Sequence, residues 1–95
     1  MATIDITRNH ALPKDEAKKR AEGIASGMQA KLSIQWRWDG DTIRFDAPSG
    51  AAKGTKGEII VTDKSVRVQI DLPFLLRVMK GTVEAKVNEK LDALT

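Results

Sequence analysis

His10 is the only histidine in this 95-residue chain, so any imidazole chemistry must run through it. A general base needs a proton to take within hydrogen-bond reach. His10 sits in a short loop before an expected helix, with no serine or cysteine beside it to activate, and it reads as a surface residue. The paired carboxylates have local explanations. Asp39 opens the turn Asp39-Gly40 and Asp41 follows it, while Asp15 and Glu16 stand where a helix N-terminus favours negative charge. With no cysteine, a metal site would need a carboxylate cage, and none is evident along the chain. The run Gly50-Ala51-Ala52-Lys53-Gly54-Thr55-Lys56-Gly57 has the glycines of a phosphate loop but not its Gly-Lys-Ser/Thr, and it leads into a strand instead of a helix. No catalytic, cofactor or metal residues are expected, and the chain reads as a non-enzyme.

Residues that could bind rather than react are more numerous. Arg37, Arg44 and Arg67, with Gln35 and Gln69, fall on the outward side of alternating segments. They form either a solvated sheet face or a site for an anion or an RNA backbone. That face lacks the aromatics on which bases stack. The net charge is +3, and the densest basic cluster, Lys14 with Lys18-Lys19-Arg20, is diluted by Asp15, Glu16 and Glu22. A nucleic-acid partner is not expected. Trp36 and Trp38 alternate onto the apolar side, and Trp38 lies near its edge. They are either core residues or, with Met28 and the small residues of the first helix, the border of a cavity for a hydroxyacyl or fatty-acyl ligand.

The most informative segment is Leu72–Gly81, which opens the last helix. Leu76, Met79, Val83, Val87, Leu91 and Leu94 form one long stripe at helical spacing. Phe74, Val78, Gly81 and Ala85 line a second stripe roughly opposite, with Leu75 beside it. One stripe suffices to cover a sheet, so the second implies another burial partner. Three partners remain open: the first helix, a second subunit in a homodimer, or an apolar surface.

Positioning these residues requires a recognisable set of elements. Thr3–Thr7 alternates as a strand, and Leu12-Pro13 starts a helix whose buried stripe is Ala17, Ala21, Ile24, Ala25, Met28 and Leu32. Gly23, Ser26, Gly27 and Ala30 lie on another side, and the glycines either soften the helix or permit a close approach. Ser33–Trp38 and Asp41–Asp46 form a hairpin about Asp39-Gly40, which pairs Trp36 with Ile43 and Ile34 with Phe45. Ala47–Gly54 reads as a flexible connection. Gly57–Thr62 and Ser65–Leu72 form a second hairpin about Asp63-Lys64, pairing Ile59 with Val68, Val61 with Val66 and Gly57 with Ile70. The empty space at Gly57 suits a bulky neighbour. The expected fold is α+β, in the order β-α-β-β-β-β-α. Its antiparallel sheet has the first strand beside the last, and two helices pack on one face.

Length allows one domain, residues 1–95. No run approaches the roughly 20 apolar residues of a membrane span, and the N-terminus shows no apolar signal core. A cytoplasmic location is expected.

Several of these segments together resemble the polyhydroxyalkanoic acid system family, small bacterial proteins of polyester-granule gene regions. The resemblance rests on Met1–Arg8, the Ala- and charge-rich first helix, Trp36-Arg37-Trp38-Asp39-Gly40-Asp41, Gly57–Val61 and Val66-Arg67-Val68. It is strongest at Leu75-Leu76-Arg77-Val78-Met79-Lys80-Gly81 with Glu84. None of these motifs brings a catalytic role. The loop 47–56 is longer than the family pattern. The resemblance implies a link to polyhydroxyalkanoate storage, with a granule surface or a granule protein as partner and a granule-associated location. It implies nothing of the long helical granule-coating phasins, which this sequence does not resemble.

Overall fold

In the computed structural model of the protein, residues 3–48, 50 and 53–92 are described, apart from the side chains of Lys31 and Leu75. Met1, Ala2, Ala51, Ala52 and Leu94, on which the reading of the sequence also drew, lie outside the described residues. The elements follow the order β1 (Ile4–Asn9), α1 (Lys14–Leu32), β2 (Gln35–Asp39), β3 (Thr42–Asp46), β4 (Lys56–Val61) and β5 (Ser65–Asp71). A 3-10 helix (Phe74–Met79) and α2 (Lys80–Asp92) complete them. The strands form one antiparallel sheet in the order β1-β5-β4-β3-β2.

Period-two alternation explains why the sheet has one dry face. Ile4, Ile43, Phe45, Ile59, Val68 and Ile70 are buried, while their chain neighbours Asp5, Arg44, Asp46, Arg67 and Gln69 face outward or are half-buried. Both helices cover the apolar side. α1 does so with Ala17, Ala21 and Ala25 at no exposure, and side chains this small let the helix lie close to the strands. α2 contributes Val83, Val87 and Leu91, spaced one helical turn apart.

The β4–β5 hairpin has the expected register: Ile59 pairs with Val68, Val61 with Val66, and Gly57 with Ile70. The bulky neighbour of Gly57 is Phe45, its partner on β3. The β2–β3 hairpin corrects the expectation. Its turn is Gly40-Asp41, not Asp39-Gly40, so Trp36 pairs with Phe45 and Trp38 with Ile43. Gly40 has φ +64, and Gly at the first turn position with positive φ suits the twist of a tight hairpin. The faces survive because the slip moves each partner by two residues.

Strand β2 also begins two residues later than Ser33. Ser33 adopts the left-handed conformation (φ 55) and caps α1, its N–H donating to the Gln29 carbonyl at 3.0 Å. The connection after β3 is hydrogen-bonded at its base. Ala47 N–H donates to the Thr55 carbonyl at 2.8 Å, and Gly54 N–H donates to the Ala47 carbonyl at 3.1 Å.

Polar contacts lock the layers together. Lys14 and Lys18 of α1 both pair with Asp41 in the β2–β3 turn. Arg8 of β1 pairs with Asp92 and donates to Asn88 Oδ1 at 2.9 Å, both on α2. His10 is a staple and not a free surface imidazole. The Leu12 N–H donates to its Nδ1 at 3.1 Å, which leaves Nε2 to carry the proton and donate to the Thr62 carbonyl at 3.0 Å. Among the described residues, no helix is long and apolar enough to cross a membrane.

Candidate functional site

Pro73 ends the sheet and fixes how the last helix begins. Its extended backbone (φ −63, ψ 156) starts a turn in which Leu76 N–H donates to the Pro73 carbonyl at 2.8 Å. The chain then runs as a 3-10 helix through Met79 and becomes α-helical only at Lys80. Six residues at about 2.0 Å each reach about 12 Å, against about 9 Å in an α-helix.

This geometry corrects the single continuous α-helix expected from the sequence. Three residues per turn place Leu76 and Met79 in one row. Leu76 packs against the core, but Met79 is 39% exposed. The inward stripe becomes regular only from Val83. On the other side, Phe74 is 79% exposed and Val78 is 90% exposed, and Gly81 and Ala85 are also open to solvent. Helix α1 therefore does not cover this side. The Leu75 side chain lies outside the described residues. Phe74, Val78 and Met79 are the exposed large hydrophobic residues among those described, and all three fall within one six-residue segment. Arg77 is exposed between them, and Lys80 pairs with Glu84 at 3.5 Å.

The tryptophans and Met28 have different surroundings. Trp36 and Trp38 are half-buried against the core on one flank of α1. Trp36 Nε1–H donates to Gln29 Oε1 at 3.2 Å, and Trp38 Nε1–H donates to Glu22 Oε2 at 2.7 Å. The Lys18 ammonium sits 4.7 Å above the Trp38 ring. Met28 faces the opposite flank. There it lines a groove of about 310 Å³ between α1 and α2, with Ile24, Gly27, Leu32, Val83 and Val87. No spacing along the chain points directly to this groove, because it arises where two helices from opposite ends of the chain meet. Gly27 was its one visible trace, and Gly23, on the same helix, meets nothing within 4 Å.

On the open face of the sheet Arg37 is exposed, while Arg44 and Arg67 pair with the protein's own carboxylates. Arg44 pairs with Asp39 at 2.9 Å and Glu58 at 3.1 Å. Arg67 grips both carboxylate oxygens of Asp5, at 3.0 and 2.8 Å. Those hydrogen bonds hold the Asp5 carboxyl below the usual aspartate range and push the Arg67 guanidinium up. Gln69, turned to satisfy both neighbours, accepts from Arg67 and donates to Glu58. Three of the four basic residues of the α1 cluster are paired in the same way. Asp41 takes Lys14 and Lys18, and Glu16 lies 3.8 Å from Arg20. Much of the positive charge on these two faces is thus matched by the protein's own carboxylates. Among the described side chains of the 3-10 helix, Phe74 and Val78 remain largely exposed.

The model of a family described as "Putative polyhydroxyalkanoic acid system protein" matches residues 4–94. Neither a curated protein nor a solved structure matches significantly.

Proposed function

Because the chain belongs to the polyhydroxyalkanoic acid system family, we propose that it is a non-enzymatic accessory protein of polyhydroxyalkanoate storage. It acts by binding an apolar granule surface through the Phe74–Met79 turn. The observation that carries this reading is the exposure of Phe74 and Val78 on a short turn anchored by Leu76. An aliphatic polyester surface offers what these side chains lack, an apolar medium that removes them from water. Arg77 within the turn and Lys80 just after it keep it soluble before it docks.

The experiment is co-sedimentation with polyester granules, comparing wild type with Phe74→Glu/Val78→Glu. The wild type is expected in the pellet and the folded double variant in the supernatant. Equal pelleting of the two would remove the turn from the account. Sedimentation velocity without granules separates the granule from a second copy of the chain as the occupant. A concentration-dependent dimer that the double variant abolishes would assign the turn to self-association instead.

A further inference from the structure

We infer that the groove between α1 and α2 is a binding site for a single acyl chain with an anionic head, the chain between the helices and the carboxylate against Lys86 and Lys90. The inference does not depend on the granule reading. Its first support is the character of the walls. Ile24, Met28, Leu32, Met79, Val83 and Val87 are apolar, and the other lining residues are Gly27, Thr82, Lys86 and Lys90. A polar ligand would find almost nothing to hydrogen-bond inside. At about 310 Å³ the space lies at the small end of ligand sites, room for one chain and not for a two-chain lipid. Methionine side chains on both sides give the groove adaptable walls.

Charge selects the head group. Lys86 and Lys90 stand one helical turn apart on the same face of α2, and no carboxylate lines the groove. Lys90 makes no ion pair among the described residues, and Lys86 meets only Glu89, at 3.7 Å on the exposed surface. The Lys90 stem lies over Gly27, where an added Cβ would sit 3.7 Å from its Cε. The missing side chain at Gly27 is therefore what leaves the groove open beneath the lysine. Met79 belongs both to the groove and to the Phe74–Met79 turn, so an occupant would touch the base of that turn.

The chain's three methionines make the test direct. Methyl-labelled protein is titrated with decanoate below its micelle concentration. The Met28 and Met79 methyl signals are expected to move along a saturating curve. Decanol, the same chain without charge, is expected to bind about three- to fivefold more weakly, the scale of exposed ion pairs. Lys86→Glu/Lys90→Glu is expected to erase that preference. Gly27→Leu, at a position where a Cβ makes only ordinary contact, is expected to fill the groove and abolish binding. Phe74→Glu/Val78→Glu leaves decanoate binding intact, which separates this site from the granule surface. No saturable shift, equal affinity for decanol, or undiminished binding by folded Gly27→Leu would each overturn the assignment.

Discussion

A Cβ built on Gly57 would lie 2.2 Å from the Gln69 carbonyl oxygen and 2.7 Å from Cζ of Phe45. The first atom is backbone and the second is part of a buried ring, so neither can step aside without moving a strand. Gly57→Ala should therefore destabilise the fold by about 3 kcal/mol, at the upper end for overpacking. The expected signature is a lower urea midpoint at unchanged slope; an alanine variant as stable as wild type would contradict the packing described. This residue was legible beforehand, because a glycine in an alternating strand marks a close neighbour. The roles of Trp36 and Trp38 were less so. Alternation correctly put both indoles on the apolar side, but not which flank of α1 they would meet. That is decided by Glu22 and Gln29, whose side chains accept the indole N–H groups.

At the scale of elements, the helix ends carry most of the departures from expectation. Ser33 pays for a left-handed cap that glycine would adopt freely. Ser33→Gly should raise stability by up to about 1 kcal/mol in thermal unfolding; a loss of stability would show that the serine side chain is needed there. The contact between α1 and the β2–β3 turn predicts a pH effect. The hydrogen bond from Lys14 holds the Asp41 carboxyl below its ordinary range, and the same contact pushes the Lys14 ammonium up. A carboxyl depressed in the folded state stabilises it above the unfolded value and loses that contribution as pH falls through the folded one. The acid loss thus lies below about pH 4. A raised lysine stabilises below its unfolded value and loses the contribution above about pH 10.5. Asp5 adds to the acid limb in the same direction. Because these groups are exposed, the effect is modest. Asp41→Asn/Asp5→Asn should lose less of its thermal midpoint than wild type between about pH 4 and pH 2, and an identical acid profile would count against both contacts. Strand order and the β4–β5 register were readable because each hairpin has one buried face. The 3-10 start of the last helix was not readable, since residue spacing alone does not reveal the distance that the chain must span.

For the whole molecule, the charged surfaces and the apolar ones behave differently. Arginines on the sheet and lysines on α1 are largely answered from within, whereas the C-terminal end carries exposed apolar side chains and, beside them, an apolar groove with a basic rim. The sequence pointed to the turn through its second stripe, Phe74 and Val78, and family membership supplies a polyester context for it. Burying one such side chain contributes about 1.5–3 kcal/mol, so covering both should contribute about 3–6 kcal/mol. Each 1.4 kcal/mol is about tenfold in affinity. The most direct measurement is the partition of the protein onto amorphous polyhydroxyalkanoate particles of known surface area, for wild type and for Phe74→Glu/Val78→Glu matched in thermal stability. The account predicts a partition coefficient at least about 100-fold lower for the variant; partitioning of both proteins to the same extent would contradict it.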